Sequence, residues 1–108
     1  MANRFIEIIC PAEGKACSWE TEVRGFVKSL HGDVVQTMVQ AADMRWYPQP
    51  KVVRDRHLFT GTVFLGWETD PQAPTYKIAA GVGGEKIPDV MDQLPTDTLW
   101  SIITVKRV

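Results

Sequence analysis

The 108 residues, 44% hydrophobic and 23% charged, have the size and make-up of one globular domain over 1–108, neither disordered nor divided. With 12 basic and 13 acidic residues the net charge is -1, which argues against a globally basic nucleic-acid binder but leaves room for a local patch. No apolar run approaches the roughly 18 residues of a membrane span, and the six residues Phe5 to Cys10, interrupted by Glu7, are too few for a signal-peptide core. A cytoplasmic protein with no membrane partner is therefore expected, with Cys10 and Cys17 as two free, buried thiols.

In chain order, the β-branched and apolar run Phe5 to Cys10, closed by Pro11 and Gly14, predicts a first strand buried on both faces. Ser18 can cap a helix whose first turn carries Glu20 and Glu22. Trp19, Val23, Phe26, Val27 and Leu30 then form one apolar stripe, so a helix ending near Gly32 is expected. A second helix is read from Asp33, with Val34, Val35, Met38, Ala41 and Ala42 on one face. The alternation of Val35, Thr37 and Val39 supplies a rival strand reading.

The prolines of Trp46-Tyr47-Pro48-Gln49-Pro50 call for an extended crossing. Leu58 to Trp67 is the clearest strand, with Phe59, Val63, Leu65 and Trp67 on one face and Leu58, Thr60, Thr62 and Phe64 on the other. The loop 68–74 would join it in a hairpin to a strand over Thr75 to Ala80, which Gly81 to Gly84 breaks. Ile87, Val90, Met91 and Leu94 at helical spacing predict a short helix closed by Pro95, and Leu99 to Val105 a last strand. The fold class expected is α+β: an antiparallel sheet with helices on one face, in ferredoxin-like (split βαβ) order, with an insertion from Gly32 to Val53.

Candidate sites are few. Gly81, Gly83, Gly84 and Lys86, between a strand and a helix, are the residues a small-ligand or nucleotide binder would use to cradle a phosphate. Their spacing matches neither common phosphate-loop pattern. Cys10, Cys17, His31 and His57 fit no zinc spacing, so no metal and no cofactor are expected. His31-Gly32-Asp33 and Asp55-Arg56-His57 place an imidazole near a carboxylate without a nucleophile motif, so no catalytic residue is assigned.

The segment Arg45 to His57 stands out, with four Lys/Arg against one Asp and two adjacent aromatics. Arg45, Trp46, Tyr47, Lys51, Arg54, Arg56 and His57, together with Trp67, are the partner-binding candidates, Trp46 and Trp67 as exposed anchors and Trp19 and Trp100 as core. The function expected is that of a non-enzymatic binding protein acting through protein–protein contact, an inhibitor or adaptor of the kind phages and mobile elements carry. The alternatives are a nucleic-acid-binding module using 45–57 and the small-ligand binder at 81–86. A homodimer is compatible with the sheet.

Overall fold

The computed structural model describes residues 3–68 and 75–108 and is all-β. Its strands are β1 (Phe5–Cys10), β2 (Ala16–Cys17), β3 (Glu20–Lys28), β4 (Val34–Gln40), β5 (Trp46–Pro48), β6 (Val53–Asp55), β7 (Leu58–Phe64), β8 (Tyr76–Gly83) and β9 (Thr98–Arg107). They form a four-stranded sheet in the order β1-β3-β7-β6 and a five-stranded sheet in the order β2-β9-β8-β4-β5. All pairings are antiparallel except that of β2 with β9. No described residue is helical, so no helix is long and apolar enough to cross a membrane.

The α+β, ferredoxin-like expectation is overturned at each of its three helices. The first is β3, where Val23, Gly25 and Val27 point inward and Glu20, Glu22, Arg24, Phe26 and Lys28 point out. Val23 and Val27 are four apart, a spacing that puts two residues on one face of a helix and equally of a strand. Phe26 had suggested the helical period; it is exposed. Gly25 is the core-facing residue between the two valines: a Cβ there would lie 2.0 Å from the Glu7 carbonyl oxygen and 2.6 Å from the Phe59 ring. The missing side chain lets Phe59, 1% exposed, fill the middle of the core.

The second helix is β4, the rival reading, with Val35, Thr37 and Val39 turned to the interior. The supposed insertion thus supplies β4, which pairs with β8 along its whole length, and β5, before it crosses to the other sheet at β6. The third is an irregular crossing. Ile87, Met91 and Leu94 do pack downward, but onto the outer face of that sheet, where they meet Met38, Trp46, Ala79 and Trp100 in a second apolar cluster. Three of the four residues that the apolar spacing marked do pack, Val90 being exposed, and the spacing wrongly marked the backbone.

Two strand readings also change. β1 is an edge strand, with Phe5 and Ile9 exposed rather than buried on both faces. The β7–β8 hairpin does not exist: the two strands lie in different sheets, and β8 runs on through Gly81 to Gly83. Residues 69–74 of the expected hairpin loop lie outside the described residues. The main core lies between the sheets, where Ile6, Ile8, Val23, Val27, Phe59 and Val63 face Val39, Ile78, Ala80, Val82 and Val105. Cys10 and Cys17 are free thiols, Cys17 buried and Cys10 partly so. Burial raises the Cys17 thiol above its ordinary value.

Candidate functional site

The segment 45–57 is split between two ends of the molecule. Its first part is β5, the edge of the five-stranded sheet. Trp46 turns inward to the second cluster, and its N–H and C=O bond the backbone of Met91 at 2.8 and 3.0 Å. With Met91 pairing Trp46 and Pro48 lacking an N–H, this edge is closed to a further strand. Trp46 is therefore a core residue, contrary to expectation, while Arg45 is exposed with its guanidinium 3.4 Å from Asp92.

Between the two prolines, Gln49 bolts the crossing to both sheets. Its N–H donates to the Thr37 carbonyl (3.1 Å), its side-chain oxygen accepts from the Phe64 N–H (2.8 Å), and its amide donates to the Tyr47 carbonyl (3.1 Å). Val52 then enters the core, Lys51 remains outside, and the chain joins the other sheet as edge strand β6. Arg54, Arg56 and His57 sit at the β6–β7 turn, where Arg56 adopts φ 57°. β7 runs from that turn to Phe64, so its seven residues hold the two halves of the predicted site about 20 Å apart.

Tyr47 instead meets Trp67. Together with Pro48, Pro50, Phe64 and Tyr76 they line a groove of about 460 Å³ between the β4–β5 turn, the crossing and the end of β7. Trp67 is 76% exposed. Behind the groove, Trp19 backs Phe64 at a ring-centroid distance of 4.9 Å and donates its indole N–H to the Gly66 carbonyl at 2.9 Å. From the core side, Arg107 donates to the Trp67 carbonyl at 2.7 Å. Among the described residues the one carboxylate of the lining is Asp43, which accepts from the Tyr47 hydroxyl and, at 3.0 Å, from the Arg45 N–H. These bonds, Tyr47's first, hold the Asp43 carboxyl below its ordinary value; the same contact raises the Tyr47 hydroxyl.

The glycine-rich turn is built for packing. Gly81 lies beneath the Trp100 ring, whose atoms would stand 2.5 Å from an added Cβ, and Trp100 donates its N–H to the Pro95 carbonyl at 3.0 Å. Gly83 and Gly84 take φ 121° and 50° and press against Asp97, through its carbonyl and its carboxylate respectively. No helix follows to direct N–H groups at a phosphate, the neighbouring carboxylate would repel one, and Lys86 points to solvent. No group of three or more metal-ligating side chains occurs among the described residues.

No family model matches the sequence, and no curated protein does. Among solved structures, the endo-beta-1,4-mannanase from Thermotoga petrophila superposes with a TM-score of 0.61 at 13% identity. The match covers 100% of this chain and 20% of that one, so this chain spans about a fifth of the enzyme's length. The likeness is one of fold.

Of the partner-binding candidates, Tyr47 and Trp67 line the groove. Asp43, Pro50, Phe64 and Tyr76 carry no local signal, because the groove forms only when β5, β7 and β8 come together. Gln49 had one available sign, a polar residue held between two prolines.

Proposed function

We propose that this chain is a non-enzymatic binding module that captures a protein partner in the groove between Tyr47 and Trp67. The observation that carries the reading is Trp67 itself, a large aromatic exposed at an apolar groove and fixed from behind by Arg107. Tryptophan and tyrosine on a rigid frame are the residues that dominate protein contacts, because they bury much area at little entropic cost.

Charge selects the partner. Asp43, kept ionised by Tyr47, sits in the lining, and Glu68 follows Trp67 on the exposed surface. An extended segment with an apolar or aromatic anchor beside a lysine or arginine suits both features, its cation meeting Asp43 and the aromatic faces. The closed β5 edge supports side-chain capture over strand addition. Two free thiols support an interaction made in the cytoplasm.

Selection of displayed random peptides against the protein tests this. The expected outcome is enrichment of an anchor-plus-basic motif, with Trp67→Ala weakening the selected peptides about 30-fold. Asp43→Asn weakens only those carrying the basic residue. Absence of a motif, or equal binding to Trp67→Ala, overturns the proposal. So does capture of manno-oligosaccharides by the same aromatic walls in place of peptides.

A further inference from the structure

We infer that a second cavity, at the opposite end of β7, is an anion site that takes a phosphate group, borne either by a small phosphorylated molecule or by single-stranded nucleic acid. The cavity is about 700 Å³ and is lined by Asn3, Arg4, Phe5, Lys28, Ser29, Arg54 and His57. Among the described residues that lining holds three cationic side chains, an imidazole and no carboxylate, in a chain whose net charge is -1. The volume lies within the roughly 300–1,000 Å³ of small-molecule sites.

The fold assembles it from three elements distant in sequence. Lys28 ends β3 and pairs in register with Phe5 at the start of β1, and the Val27 N–H bonds the His57 carbonyl at 2.8 Å, which anchors the β6–β7 turn beside them. Asp33, the acid bonded to Arg4, is already spent: it takes a two-point bond from Arg4 (2.9 and 2.8 Å) and one from the Leu30 N–H (2.7 Å), with its side chain 4% exposed. Arg4 pairs with Asp33, whose charge also reaches Arg54, and with Lys28 the three cations leave the described residues around the cavity net positive.

Arg54 is also pre-positioned. Its Nε–H donates to the Arg56 carbonyl at 3.0 Å and one NH₂ group to the Ser29 hydroxyl at 2.5 Å, which fixes the guanidinium plane. A guanidinium has five N–H donors, so three remain for a phosphate, whose geometry matches such a fork. Phe5, 45% exposed, adds a flat apolar surface beside the charges, the combination on which single-strand binders stack bases.

Fluorescence anisotropy with fluorescein-labelled oligo-dT over a salt series, with inorganic phosphate and AMP as competitors, tests the site and separates the two sources. For nucleic acid, two phosphate contacts predict a log–log salt slope near -1.4, a loss of about 7-fold between 50 and 200 mM salt. Lys28→Ala or Arg54→Gln should halve that slope, whereas Lys51→Ala, an equal loss of charge elsewhere, should leave it unchanged. For a small ligand, AMP or phosphate raises the melting temperature of the wild type but not of Lys28→Ala, and oligo-dT does not bind. Trp67→Ala leaves either result intact, because its groove lies about 20 Å away. The inference is overturned if no probe binds at low salt, or if Lys51→Ala costs as much as Lys28→Ala.

Discussion

Arg107 is the residue through which the core controls the groove, and its removal gives the sharpest quantitative expectation. It is 9% exposed, and one NH₂ group donates to the carbonyls of Leu65 (3.1 Å) and Trp67 (2.7 Å), the other to that of Glu68 (2.9 Å). Arg107→Met keeps the volume of the stem and deletes the donors. The bond to Leu65 is buried, so its acceptor is left unsatisfied at a cost of about 2 kcal/mol; the other two are partly open to water and contribute about 0.5–1 kcal/mol each. Release of a desolvated cation offsets part of this sum, leaving a net loss of about 2–3 kcal/mol. For a chain of this size that lowers the melting temperature by about 10–20 °C, readable by calorimetry. The same variant should weaken peptides selected on the groove, because Trp67 loses its clamp. A shift under about 3 °C with unchanged peptide binding would refute the reasoning. Arg107→Lys, with a point charge in place of a fork, should recover less than half of the loss.

Three further outcomes are expected. Gly25→Ala places a Cβ against the backbone of Glu7 as well as the Phe59 ring, so β1 must shift; a loss of about 3 kcal/mol in denaturant unfolding is expected, and a neutral variant would contradict the close approach. Gln36, 2% exposed, accepts from the Ile87 N–H at 2.9 Å and donates to the Glu85 carbonyl at 3.0 Å. Gln36→Ala should therefore cost about 2 kcal/mol and speed hydrogen exchange at Ile87 before that of the β8–β9 ladder. Arg4 holds the Asp33 carboxyl below its ordinary value near 3.9, so the pair's stabilisation is full above about pH 4 and is lost as pH falls through the depressed folded value. Melting temperatures across that range should show Arg4→Gln destabilised at neutral pH and converging on the wild type in acid.

The chain by itself determined where apolar residues would be buried more reliably than how the backbone would carry them. In the expected strand Leu58 to Trp67, Phe59, Val63 and Leu65 turn inward as placed, whereas Trp67, put on the same face, is exposed beyond the strand's end at Phe64; the last strand is where its β-branched run placed it. Over 19–30 and 34–42 the apolar residues sit three and four apart. A separation of four returns to the same face in either periodicity, so Val23 with Val27 could not choose between helix and strand. Tertiary structure chose: β3 pairs with β1 on one side and β7 on the other, which Gly25 permits, and Phe26 is left outside.

The working surface divides in the same way. Composition marked Arg45 to His57 as unusual, because adjacent aromatics and clustered arginines are visible in one dimension. Which of them line the groove or the second cavity was decided by the exchange of that segment from one sheet to the other. The exchange buries Trp46 against Met38, brings Tyr47 to Trp67 from twenty positions away, and carries Arg54 and His57 to Lys28. Such meetings depend on strand order and on which face each strand turns inward, and these are set by the packing of two sheets across a shared core.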